Sequence, residues 1–186
     1  ERIIDSYGDM SEEPIDRRTH ESSYQVPLPI YNLGKLGSVV EVAGTPNVVT
    51  ALFDDGNLVA FRKEMKKSVK IERMPIQHRV LHVAAGICHF VANTISPPGT
   101  SNIFIWGKNS NGQLGFGSTK ELHFPTEVQP LSSTSIATVC CGDHSTFALA
   151  ADGQLFVWGK NTSGQLGLSG SVDETITSVQ GQKLKE

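Results

Sequence analysis

Two stretches of this chain are nearly the same: Phe104-Ile-Trp-Gly-Lys-Asn-Ser-Asn-Gly-Gln-Leu-Gly-Phe-Gly117 and Phe156-Val-Trp-Gly-Lys-Asn-Thr-Ser-Gly-Gln-Leu-Gly-Leu-Ser169, with Trp158 following Trp106 by 52 residues. Self-similarity at a fixed period means a fold assembled by stacking copies of one supersecondary unit, because one such unit cannot bury its apolar face alone. The repeat outranks any single residue as a constraint. It also moves the functional question from substrate to partner, since stacked repeats mostly build surfaces that hold other macromolecules.

The unit extends upstream of each tryptophan, where Val83-Ala-Ala-Gly86-Ile-Cys-His89 lies opposite Val139-Cys-Cys-Gly142-Asp-His-Ser145. The later copy continues through Phe147-Ala-Leu149, Asp152-Gly153 and Leu155-Phe-Val-Trp158. This is a strand, turn, strand pattern in which Asp-Gly supplies the positive φ of a two-residue hairpin. In the earlier copy the same hairpin carries Ser96-Pro-Pro-Gly-Thr-Ser-Asn102, expected to form a longer surface loop because proline cannot donate to a ladder. A weaker third copy precedes both: Val39 to Gly44, Thr50-Ala-Leu52, Asp54-Asp-Gly56 and Leu58 to Phe61, with Phe61 in the tryptophan's place. Aligning Gly44 with Gly86 and Gly142 puts Asn47 where His89 and Ser145 stand, and all three are expected to bond backbone within their own unit.

Val-Ala-Ala-Gly-x-x-His, then Asp-Gly-x-Leu-Phe-x-Trp-Gly-x-Asn, then Gly-Gln-Leu-Gly together resemble the RCC1 repeat, named after regulator of chromosome condensation. The resemblance covers roughly residues 27 to 170. It implies an all-β fold, a partial RCC1-like β-propeller of about three to three and a half four-stranded antiparallel blades, from a ring that usually closes with seven. Residues 1–26 then form an acidic lead-in, 27–79 a degenerate copy, 80–135 a full repeat and 136–186 an incomplete one. Gly112 and Gly115, like Gly164 and Gly167, suit tight turns, and Trp106 and Trp158 suit the space between stacked sheets.

A period near 52 divides 186 residues into about 3.6 units, half a ring. Propeller sheets are protected by radial closure, so the expectation is a fragment of a larger protein, with the remaining blades supplied by missing sequence or by a second chain. Thr175 to Leu184 reads as the start of a crossing into another blade.

No enzyme signature survives inspection. Gly153 to Lys160 has one residue too many for a phosphate loop and Asn161 where Ser or Thr must follow. Asp143-His144-Ser145 holds triad residue types, but neighbours on an extended chain face opposite ways. His78 and His82 have the spacing of helical metal ligands, yet they lead into a strand. Neither cofactor nor metal is expected. Cys88, Cys140 and Cys141 lack paired or metal-type spacing, which suits a reducing cytoplasmic or nuclear setting, and adjacent Cys140 and Cys141 should point to opposite faces as packing residues. No apolar run approaches bilayer-spanning length.

A formal charge of −3 gives no overall bias toward nucleic acid. One segment departs from this. Arg62, Lys63, Lys66, Lys67, Lys70 and Arg73 against Glu64 and Glu72 give a local charge of +4 where the third copy has lost its glycine turns. Such a cluster is the candidate partner-binding site, suited to phosphates or an acidic protein face, although no aromatics interleave to stack single-stranded bases. The resemblance implies a protein–protein interaction module, a non-enzymatic scaffold within a larger regulatory protein of the cytoplasm or nucleus. The alternative it implies is a guanine nucleotide exchange factor for a Ran-like or other small GTPase, with chromatin as a weaker candidate partner. Exchange makes no covalent bond; it works by preferring the nucleotide-free GTPase.

Overall fold

A computed structural model of the chain describes residues 36–63, 69–97, 100–132, 134–168 and 177–179. The described strands form three four-stranded antiparallel sheets, each in chain order. The first contains β1 (Val39–Gly44), β2 (Val48–Phe53), β3 (Leu58–Lys63) and β4 (Val69–Arg73). The second contains β5 (Arg79–Ala85), β6 (His89–Ser96), β7 (Thr100–Gly107) and β8 (Leu122–Glu127). The third contains β9 (Ile136–Cys141), β10 (Ser145–Ala150), β11 (Leu155–Gly159) and β12 (Thr177–Val179). The fold is all-β, with a 3₁₀ turn at Gln129–Leu131. The acidic lead-in and residues 27–35 of the degenerate copy lie outside the described residues.

Register shows which positions are equivalent. Trp106 stands opposite Phe90, Trp158 opposite Thr146 and Phe61 opposite Val49, so Phe61 does occupy the tryptophan's place. His89 faces Gly107 and Ser145 faces Gly159, but the matching pair in the first sheet is Val48 and Arg62. Thr45, Gly86 and Gly142 donate their backbone N–H to the carbonyls of Val48, His89 and Ser145 at 2.8 to 2.9 Å. The expected equivalence of Asn47 is therefore off by one residue, because Thr45 rather than Gly44 closes that turn.

Two other expectations need correction. β6 and β7 remain paired out to Ser96 and Thr100, so most of the loop foreseen from Ser96 to Asn102 is ladder. Thr94 Oγ1 donates to the Asn102 carbonyl at 3.0 Å and Ser101 Oγ to Asn93 Oδ1 at 2.8 Å, polar bonds that favour pairing over an open loop. The segment read as a crossing into another blade contains β12, which pairs with β11 through Leu155↔Val179 and Val157↔Thr177 and so completes the third sheet.

The core lies between sheets. Leu52 and Leu58 meet Val80, Val83, Phe90, Ala92 and Trp106, with Trp106 stacked on Phe90 at 5.4 Å between ring centroids. Val91, Ile103 and Ile105 meet Ile136, Val139, Ala148, Ala150 and Trp158. Each large side chain so buried contributes about 1.5–3 kcal/mol. Phe61, the third member of the series, lies with Ala51, Phe53, Val59 and Ile71 on the first sheet's other face.

Polar bonds fix the sheets against one another. The Val83 N–H donates to Glu41 Oε2 at 3.0 Å, the Ile87 N–H to the Asp143 carbonyl at 3.0 Å, and Asn93 Nδ2 to the Ile136 carbonyl at 3.0 Å.

Candidate functional site

The repeated motif uses its polar residues internally. Asn109 Oδ1 accepts from the Leu114 N–H at 2.9 Å, while its Nδ2 donates to the carbonyls of Ser118 and Lys120 at 2.7 and 3.0 Å. Asn161 does the same with the Leu166 N–H and the Leu168 carbonyl at 3.0 and 3.1 Å. Gln113 Oε1 and Gln165 Oε1 take the backbone N–H two residues back at 2.9 and 2.8 Å. The Gly of each Trp-Gly pair is obligatory: φ is +114° at Gly107 and +102° at Gly159, and a Cβ would lie 2.5 Å from a carbonyl oxygen in both.

His89 is fully buried, and its partner is not backbone within its own sheet as foreseen. Its Nε2 lies 2.9 Å from Thr146 Oγ1 on the third sheet. The Thr146 hydroxyl donates to the Gln113 carbonyl at 2.8 Å, so it must accept from His89, which assigns the proton to Nε2. His89 Nδ1 is buried without a partner, consistent with an unprotonated nitrogen. Burial, and secondarily the nearby His144, holds the imidazole down at about 4.

The other sequence candidates are dispersed. His144 Nδ1 lies 3.8 Å from Cys88 Sγ in the β5–β6 turn, and Ser145 is buried. His82 sits 3.8 Å from Glu41, and His78 packs near the Phe104 ring at 5.9 Å. Cys140 and Cys141 take opposite faces as alternation foresaw, but only Cys141 is a packing residue, against the core between the second and third sheets, while Cys140 is exposed. Burial, with Cys140 beside it, pushes the Cys141 thiol up to about 12. Among the described residues no group of three or more His, Cys, Asp or Glu could hold a metal ion.

The basic cluster falls on the β3–β4 hairpin. Arg62 and Lys63 lie on β3, Lys70 and Arg73 on β4, and Lys66 and Lys67 lie outside the described residues. Arg62 stands directly opposite Lys70, whereas Arg73 stands opposite Val59. By strand alternation Arg62 and Lys70 share one face and Arg73 takes the other. Lys70 is ion-paired with Glu72 on its own face, and Arg62, Lys70 and Arg73 do not share one face.

Arg73 belongs to a second feature, a groove of about 460 Å³ between the β2–β3 turn and the connection from β4 to β5. Asp55, Asn57, Gln77 and Arg79 line it with Arg73. Arg79 escaped the sequence reading because it lies beyond the charge run. The signal was the Asp-Asp-Gly-Asn turn, whose glycine leaves room for a long side chain to cross it.

Models of the "Regulator of chromosome condensation (RCC1) repeat" match residues 101–149 and 152–182, and a second model of that repeat matches 136–165. The chain carries RCC1 repeats. The first RCC1 match runs from β7 to β10, so the sequence repeat is offset from the sheets by about half a unit, and the third sheet draws strands from both matches. Similar proteins include "Probable E3 ubiquitin-protein ligase HERC6" of Homo sapiens, 40% identical over 90 residues, covering 45% of this chain and 9% of HERC6. Protein RCC2 of Mus musculus is 36% identical over 102 residues, covering 55% of this chain and 19% of RCC2. The chain thus spans less than a quarter of either relative. The solved structure of Prp20p from Saccharomyces cerevisiae, described with its binding properties to Gsp1p and histones, matches with a TM-score of 0.62 at 21% identity, covering 82% of this chain and 39% of that one. That likeness is one of fold, and the three sheets are blades of an RCC1-like propeller. Among the described residues no helix is long and apolar enough to cross a membrane.

Proposed function

We propose that this chain is a protein–protein interaction module, an RCC1-like propeller scaffold within a larger regulatory protein of the cytoplasm or nucleus. The observation that carries the proposal is the contrast between the repeat motifs and the first blade. Asn109, Gln113 and Asn161 are committed to internal hydrogen bonds. The first blade, whose β3–β4 hairpin lacks that motif, instead carries exposed Arg62, Lys70 and Arg73. Residues 62 to 73 form the partner-binding element, and the chain performs no covalent chemistry. The test is charge reversal of Lys66, Lys67 and Lys70 to Glu in the full-length protein, with interaction partners quantified by affinity capture. Loss of specific partners from a folded variant is expected; an unchanged partner set would remove the cluster from the interaction surface.

The second reading, nucleotide exchange on a Ran-like or other small GTPase with chromatin as a further partner, is supported by the fold likeness to Prp20p. A shared fold hosts many functions. Release of a fluorescent nucleotide from a small GTPase, followed with and without the full-length protein, separates the two. An unchanged rate is expected for a scaffold, and acceleration of several orders of magnitude for an exchange factor.

A further inference from the structure

We propose that the groove lined by Arg73 and Arg79 binds a carboxylate of an extended acidic segment of a partner protein, which pairs with the outer edge of β4. The proposal rests on the interaction-module reading and names the chemistry of its partner.

The groove is positively charged and prepared. Gly56 has φ +83°, and a Cβ there would lie 2.3 Å from Arg79 Cγ. The absence of a side chain at Gly56 lets the Arg79 stem lie across the turn, where Nη2 donates to the Asp54 carbonyl at 3.1 Å. At the same turn, Arg73 Nη2 donates to Asn57 Oδ1. A guanidinium carries five donors in a planar fork, and among the described residues these are the bonds that orient each fork. The one carboxylate in the groove is already engaged: Asp55 accepts from the Asn57 N–H at 2.8 Å and from the Asn57 side-chain amide. Among the described residues neither arginine forms an ion pair. Both arginines line one groove, and a guanidinium fork matches the bidentate geometry of a carboxylate.

The neighbouring strand decides for polypeptide. Among the described residues β4 is the last strand of its sheet and pairs on one side, with β3. Its other edge offers backbone N–H and C=O groups in the alternating period that an added polypeptide strand matches. No Phe, Tyr or Trp lines the groove to stack a base, and its one aromatic ring, His78, packs near the Phe104 ring at 5.9 Å. Arg73 is the last residue of β4, so a chain running along that edge arrives at the groove.

The test titrates the full-length protein into a fluorescein-labelled octapeptide of alternating Glu and Val, read by fluorescence anisotropy. Saturable binding is expected, weakening about tenfold in Arg73→Met and in Arg79→Met, as for loss of one charged hydrogen-bonding group, and unchanged in Lys108→Met on the second blade. Arg79→Lys, which keeps charge and stem, is expected to bind better than Arg79→Met and guards against a packing effect. Equal binding of a Lys-Val octapeptide, unchanged affinity in both Met variants, or tighter binding of a phosphoserine peptide or oligothymidylate would each overturn the proposal. If the octapeptide fails while reversal of Lys66, Lys67 and Lys70 still abolishes partner capture, the groove assignment falls and the module reading stands.

Discussion

His89 shows how one residue couples the blades. Its Nε2–H, the Thr146 hydroxyl and the Gln113 carbonyl form a relay with links of 2.9 and 2.8 Å, joining the second blade, the third blade and the motif loop. The imidazole is held at about 4 in the fold and titrates near 6.5 in an unfolded chain. Above pH 6.5 it is neutral in both states and its structural contribution is fully present. As pH falls from 6.5 toward 4, only the unfolded chain gains the proton, so stability declines by about 3 kcal/mol in total and the effect levels off below 4. Urea unfolding at intervals from pH 7 to 4 is expected to show this slope in the wild type and a shallower one in His89→Gln. The sequence made His89 recognisable as structural through its repeat position. Its partner was hidden because Thr146 is 57 residues away and meets it across two sheets.

At the scale of elements, the motif loop explains why Gly-Lys-Asn and Gly-Gln-Leu-Gly recur together. Asn109 is buried, 1% exposed, and ties three backbone groups. Asn109→Ala leaves those groups unpaired and is expected to cost about 2–4 kcal/mol. Asn161→Ala, at a more exposed position, is expected to cost less; equilibrium denaturation of the two variants compares them. The loop was legible because both copies spell it out. The hairpin at Ser96 to Asn102 was misjudged because Pro and Gly signal a turn without marking its ends. There the cross-strand bonds of Thr94 and Ser101 extend the ladder to Ser96 and Thr100. The basic hairpin was legible as a charge run, but strand alternation sets Arg62 and Lys70 on one face and Arg73 on the other, and the placing of Arg79 beside the turn depends on Gly56.

For the whole molecule, blades are joined by apolar stacking and by a few buried polar bonds. Asn93 Nδ2 donates to the Ile136 carbonyl at 3.0 Å and Asn93 Oδ1 accepts from Ser101 at 2.8 Å, linking the second blade to the first strand of the third. Asn93→Ala is expected to cost about 1–3 kcal/mol and to speed amide exchange in β9 and β10 while leaving β1 to β4 unchanged, measurable by hydrogen exchange with mass spectrometry. Uniform acceleration across all three blades would mean that they open as one unit. The repeat, the glycine turns and the tryptophan positions could be read from the residues, because each is dictated locally by period, φ and side-chain volume, and the all-β class followed from the resemblance those motifs carry. The His89 partner, the one-residue shift at Thr45, the place of β12 and the presence of Arg73 and Arg79 on one groove emerge only in the folded chain. Each of these depends on which surfaces meet when sheets stack, and contacts between residues distant in the chain leave no periodic trace in it.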